Sequence, residues 1–287
     1  MPLSLLVSQL LNGIAVGMLY AVAALGLSII KGLLNIPNFA HGAFYAVGAY
    51  LLYAVVSATE SFWLGLVVAT VVAGGLGVLV EWFGVRRLYG GAYLFQLLLL
   101  FGVSLVVTEL LIVLWGPEGK SLSPPDFLQG ALIFSGIFYP KYLLFTTVAG
   151  AVIIVAVWLL IERTRYGAII RAGIEKTEMV SALGINIEVL FTLAFAFGAG
   201  LAGLAGALAA PIVGITATMG IDMLAMAFVV LVIGGLGSLY GAVFAGLLVG
   251  ITQSLVALYW PSASTILIYV AMVLILLWRP QGLLGER

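Results

Sequence analysis

Residues 163–186 read RTRYGAIIRAGIEKTEMVSALGIN. The stretch is a polar island between two runs, about 141–161 and 188–210, each oily enough to cross a bilayer. It holds four of the chain's eleven basic residues. A chain that places its largest charged cluster in one interior loop presents that loop to water. The nature of the water-soluble partner that meets it bears directly on function.

The rest of the chain explains why the island stands out. Of 287 residues, 64% are apolar and 8% are charged, against about 25% charge in a soluble domain. No soluble fold hides that much apolar surface, so the solvent is lipid. Zero net charge argues against a nucleic-acid partner. The absence of cysteine excludes disulfides, iron–sulfur clusters and thiolate metal sites. A single histidine, His41, excludes a histidine-rich metal site. The opening MPLSLLVSQLLNG lacks a basic leader region and reads as an uncleaved membrane segment. Thirty-six glycines suit membrane helices, whose backbones approach closely.

A helix needs roughly 20 apolar residues to span the hydrocarbon core. Candidate spans fall at about 7–30, 36–56, 62–85, 92–115, 141–161, 188–210, 223–237, 240–259 and 263–278. Continuous apolar runs without period-two alternation exclude a barrel. The expected fold is an all-α, polytopic transmembrane bundle of eight or nine segments forming one domain over 1–287. Segment 36–56 begins with polar residues and Pro37, and 223–237 is short and ends in GGLGSLYG, a pattern of a broken or tilted helix.

Basic residues set the orientation. With nine spans and the N-terminus outside, nine of the eleven basic residues lie inside, and only Lys120 and Lys141 lie outside. The opposite orientation inverts that ratio. If 36–56 does not span, the N-terminus moves inside but the later loops stay put. Either way, 163–187 is a cytoplasmic loop and 116–140, with Pro117, Pro124, Pro125 and Asp126, is external.

Two motifs are decoys. Gly119-Lys120-Ser121 ends like a phosphate-binding loop, but the glycine required five residues earlier is Leu114. Gly198, Gly200 and Gly203 fit a dinucleotide fingerprint that has meaning only after a strand. Here they lie in an apolar helix, where Ala199/Gly203 and Ala202/Gly206 form small-xxx-small pairs for tight packing. Gly13/Gly17, Gly237/Gly241 and Gly246/Gly250 repeat the pattern. No constellation of nucleophiles, carboxylates or histidines indicates catalysis or a metal. Glu109 and Asp222 are the acids nearest bilayer depth and read as interfacial residues or caps rather than proton relays.

Polar breaks inside the membrane mark pathway or hinge candidates. Asn35, Asn38 and His41 are costly in lipid unless they pair or line a cavity. Pro37 interrupts the helix and Gly42 permits a close approach. The blander reading is an interfacial helix start with Asn38 as cap and His41 packed. Gly234, Gly235 and Gly237 form the second break, which suits a tight cytoplasmic turn.

Within the island, Glu175 to Leu183 reads as a short helix ended by Gly184. Met179, Val180 and Leu183 form an apolar stripe, and Glu175, Lys176 and Glu178 charge the other side. Such a helix can float at the lipid interface, pack on its own bundle, or insert into a groove on a soluble partner. The small apolar patch and the two glutamates disfavour an anionic membrane surface.

Three blocks of this sequence resemble the membrane permease of branched-chain amino acid ABC importers. They are NFAHGAFYAVGAY at 38–50, ERTRYGAIIRAGIEKTEMVSALGIN at 162–186 and FVVLVIGGLGSLYGAVFAGLLVGI at 228–251, supported by RPQGLLG at 279–285. The first block is similar to the shorter of the two paralogous permeases such importers pair. The resemblance implies half of a dimeric pore in a bacterial inner membrane, completed by a paralogue or a second copy. It implies two cytoplasmic ATPase subunits that carry ATP and magnesium, while this chain binds no cofactor. It implies an external binding protein, periplasmic or lipid-anchored, that delivers substrate. Arg171, Glu175, Lys176, Glu178, Met179, Leu183 and Gly184 would then dock the ATPases as a coupling helix. Gly173, just after Arg171-Ala172, leaves the register of that helix's start open. Similar permeases move urea, amides or aromatic acids. A self-sufficient secondary transporter or channel is the reading from another class. It would need ion ligands or a proton relay, and the sequence offers only uncharged groups such as Gln96, Ser104, Thr108, Thr252 and Gln253.

Overall fold

The computed structural model describes residues 3–134 and 137–285. The helices are α1 (Leu3–Leu34), α2 (His41–Thr59), α3 (Phe62–Phe83), α4 (Tyr93–Trp115), α5 (Lys141–Arg163), α6 (Arg165–Ala182), α7 (Ile187–Val213), α8 (Met219–Gly234), α9 (Leu239–Ala257) and α10 (Ser264–Trp278). Among the described residues, eight helical segments are long and apolar enough to cross a membrane. The bundle is nearly all-α and multi-pass. Helix α8, at 16 residues, is about 24 Å long and falls short of the hydrocarbon thickness.

Three boundaries differ from expectation. The segment expected to be helical from residue 36 becomes helix only at His41, because Pro37 and Asn38 hold 35–40 out of helix. The 116–140 loop contains two antiparallel strands, β1 (Ala131–Phe134) and β2 (Ile137–Pro140), with Leu132 opposite Tyr139. Helix α6 begins at Arg165, ten residues before the expected start, because Thr164 caps it by accepting the Gly167 N–H at 3.1 Å.

The chain forms two compact units. One comprises residues 1–24, 123–154 and 225–287. There α1 and α9 cross on facing glycines, and the Gly250 backbone rests on Gly17. Tyr20 donates to Gln253 Oε1 at 2.7 Å, and Ser254 donates to the Gln9 carbonyl at 2.7 Å. The α8–α9 turn needs left-handed backbone at Gly235 (φ 108°) and Gly237 (φ 85°). The C-terminal segment binds this turn: Leu283 N–H donates to the Ile233 carbonyl at 2.8 Å and Leu284 N–H to the Gly234 carbonyl at 3.0 Å. Two of the sequence blocks that carry the family resemblance are thus in contact.

The other unit comprises residues 25–122 and 155–224. Its core is α7 laid against α2 and α3. A Cβ on Gly206 would strike the Tyr45 carbonyl, and one on Gly203 would strike Ala73. The would-be nucleotide fingerprint is therefore a packing face, as expected for close helix approach in a membrane. Phe44 meets Phe195 edge-on with ring centroids 6.2 Å apart. Lys120 exchanges both backbone hydrogen bonds with Ile215, at 2.8 and 2.9 Å, so the phosphate-loop look-alike is part of a β-bridge.

Candidate functional site

The island forms an angled arm between α5 and α7. Thr164 ends α5 and starts α6. Its hydroxyl donates to the Leu160 carbonyl at 2.5 Å while accepting from Gly167. Gly167 lies flat on the end of α5, where a Cβ would collide with the Leu160 and Ile161 carbonyls. The last carbonyls of a helix lack intrahelical donors. Arg171 supplies one: its guanidinium hydrogen-bonds the Ile161 carbonyl and pairs with Glu162 at 3.2 Å. A cation at a helix C-terminus also complements the helix dipole. Arg171 thus points back into the fold rather than outward.

Beyond Arg171 the helix breaks. Lys176 has φ −149° and ψ 84°, outside helical values. Thr177 Oγ1 bridges the break by donating to the Gly173 carbonyl at 2.9 Å. Gly173 is buried, and a Cβ there would stand 2.9 Å from Leu33 and 3.1 Å from Leu190. After the break, Val180 turns inward and is 3% exposed, whereas Met179 is 60% and Leu183 80% exposed. The anticipated stripe therefore splits into an anchor and an open apolar pair. Glu175, Lys176 and Glu178 are exposed around that pair. Gly184 takes φ 81° and donates to the Ser181 carbonyl at 2.9 Å, closing the arm. Asn186 then caps α7, its Oδ1 accepting the Val189 N–H at 3.2 Å. Behind the arm lies an apolar cleft of about 420 Å³ lined by Ile29, Ile170, Leu190 and Phe197 among others.

The pathway candidates separate into two places. Asn35 is exposed at φ 57° and accepts Lys31 Nζ on both its side-chain oxygen (2.6 Å) and its carbonyl (3.1 Å), closing α1. Asn38 is fully buried. Its Oδ1 accepts the Ala40 N–H at 3.0 Å, a turn ahead of the helix rather than the N-cap, which is Ala40. His41 is 1% exposed at the first position of α2, its ring beside Gly26. Gly42 meets the Gly220 backbone. Gly234, Gly235 and Gly237 sit in the α8–α9 turn, with Gly234 against Gly241. Asp222 lies exposed in the first turn of α8, and Glu109 is exposed on α4.

Sequence reasoning missed the fully buried acid, Glu81 on α3. Thr192 Oγ1 donates to its Oε2 at 2.6 Å, and the Tyr89 hydroxyl donates to its Oε1 at 2.7 Å. Arg86 Nε lies 3.4 Å from Oε1. Arg86 also reaches the Glu188 carboxylate at 3.4 Å and stacks on Trp82 at 5.1 Å. Burial, and next the hydrogen bond to Glu81, pushes the Tyr89 phenol well above its usual pKa. Removing one partner of a buried ion pair costs about 3–5 kcal/mol. The available signal was the Glu81/Arg86 spacing across EWFGVRR, whose third partner, Thr192, lies 111 residues away.

Residues 9–276 match the family model described as branched-chain amino acid transport system / permease component. The high-affinity branched-chain amino acid transport system permease protein BraD of Pseudomonas aeruginosa is 31% identical over 97% of this chain and 95% of its own. The corresponding LivH protein of Escherichia coli K12 is 30% identical over the same shares. The LivM protein of that organism is 30% identical over 93% of this chain but 68% of its own length. The chain thus has the proportions of the shorter permease. No solved structure matches it.

Proposed function

The chain belongs to the branched-chain amino acid transport system permease family, and from that premise we propose that it is a pore-forming subunit of an ATP-driven importer. Its substrates are branched-chain amino acids or similar small solutes handed over by an external binding protein. Half of the pore comes from a second permease, a paralogue or another copy. Two ATPase subunits on the cytoplasmic side of a bacterial inner membrane hold ATP and magnesium. Residues 116–140 face the binding protein, and 163–187 face the ATPases.

The observation that carries this reading is the exposure of Met179 and Leu183 on an arm whose root is tightly held. An exposed apolar pair at the end of a braced element suits insertion into a groove on a partner. Glu175, Lys176 and Glu178 provide the polar rim, and Gly184 ends the element. Arg171 acts as the brace. A braced arm passes force to the bundle, whereas a floppy loop would absorb it. The pathway or hinge role falls to the polar break at Asn35–Gly42, while Gly234, Gly235 and Gly237 serve the α8–α9 turn.

The test is co-purification. The tagged chain, expressed with its neighbouring genes, should retain ATPase subunits and show ATP hydrolysis only when they are present. Uptake by the chain alone in vesicles would replace this reading with a self-sufficient transporter or channel. Uptake of urea, amides or aromatic acids in preference to leucine would keep the importer and change its substrate.

A further inference from the structure

We infer that Glu81 is a positioning residue that locks α3 to the first turns of α7, so that the two helices move together when the 163–187 arm is displaced. The inference rests on the importer reading above. The arm ends at Asn186, whose side chain caps α7. Two residues later, the Glu188 carbonyl accepts Arg86 Nη2 at 3.4 Å and the Glu188 carboxylate pairs with Arg86. One turn further, the Thr192 hydroxyl accepts Arg86 Nη2 at 2.5 Å and donates to Glu81. Arg86 and Glu81 thus grip α7 where a pull on the arm first arrives.

Above the clamp α3 and α7 touch through small residues: Gly77 faces Ala199, and Gly74 faces the Ala196 backbone. These contacts bring the backbones close but carry no directional bonds. The charged clamp adds directional bonds that fix the register. A buried ion pair seldom exceeds well-packed apolar groups in stabilisation, so bulk stability is a poor reason for a fully buried carboxylate here. A register-fixing role accounts for it, because directional bonds at the α3–α7 contact hold the two helices in one arrangement. Tyr89 holds the second carboxylate oxygen and packs edge-on against Phe191, at 5.2 Å between centroids, adding a further tie between the Val85–Tyr89 turn and α7.

The experiment compares the wild-type complex with Glu81→Gln and Thr192→Val, reconstituted with the ATPase subunits and binding protein and supplied with radiolabelled leucine. The readout is leucine imported per ATP hydrolysed, per assembled complex. Both variants should keep bound ATPase and basal hydrolysis, while the ratio falls about tenfold, a typical coupling free energy. A merely structural role would reduce the amount of complex but leave the ratio unchanged, and that result overturns the inference. Where Glu81→Gln yields no complex, Tyr89→Phe removes one bond to the carboxylate and keeps its charge. It should lower the ratio by a smaller factor, and an unchanged ratio there also overturns it. Failure of the wild-type chain to retain ATPase would sink the importer reading instead.

Discussion

The double substitution Met179→Ala, Leu183→Ala separates docking from folding. Leu183 is 80% and Met179 60% exposed in the chain alone. Complete burial of such a side chain is worth about 1.5–3 kcal/mol, so docking has about 1–2 kcal/mol available from each. Truncating both should weaken ATPase binding by roughly 2–3 kcal/mol, or about 30- to 150-fold in Kd. The fold should barely respond, since exposed substitutions shift stability by about 0.5 kcal/mol or less. Val180→Ala is the matched control. That residue is 3% exposed, and losing its methyl groups should cost about 2 kcal/mol of stability with its cavity. The assay titrates the solubilised chain with labelled ATPase subunit and follows thermal unfolding in parallel. An unchanged Kd in the double variant would refute the docking argument. So would an equal loss of affinity in Val180→Ala without loss of Tm.

Other outcomes follow from packing. Gly206→Val drives a side chain into the Tyr45 carbonyl. It should destabilise the chain by about 1–3 kcal/mol or more, seen as a lowered Tm; an unchanged Tm would contradict the close α2–α7 crossing. Arg171→Ala strips the donor from the Ile161 carbonyl. With the side chain 40% exposed, the loss should be about 1 kcal/mol, accompanied by faster amide exchange over residues 164–170; unaltered exchange would remove its bracing role. Truncation after Trp278 removes the Leu283 and Leu284 donors to the α8–α9 turn. Amide exchange over residues 233–241 should accelerate, and unchanged protection would show that the turn holds itself.

How much of this was legible depends on range. Lipid-spanning helices announce themselves through long apolar runs, so α3, α4, α5 and α7 appear close to where the sequence places them. The small-residue face of α7 was legible because its spacing alone excludes bulky contacts. The arm was legible as a polar helix but not in its true form. Its first half depends on Thr164 and Gly167 resting on the end of α5, a tertiary contact that no local pattern specifies. The break at Lys176 rotates Val180 inward and leaves Met179 and Leu183 outside, which a continuous helical stripe does not predict. The strands at 131–134 and 137–140 are short apolar runs that periodicity alone does not tell from helix. Glu81 escaped notice because it sits near a span end beside two arginines, where acids are ordinary. Only the approach of Thr192 from a helix far along the chain turns it into a buried node. Asn38 reads as a cap in the sequence, yet its side chain accepts from Ala40, the residue that precedes α2, a difference finer than residue preference resolves.

The most direct measurement of the central claim is leucine uptake into proteoliposomes containing this chain with its partner permease, ATPase subunits and binding protein. Uptake should require every component and ATP inside the compartment that faces 163–187, and should vanish when that arm faces away from the nucleotide. Uptake at the same rate with the ATPase subunits omitted would contradict the account.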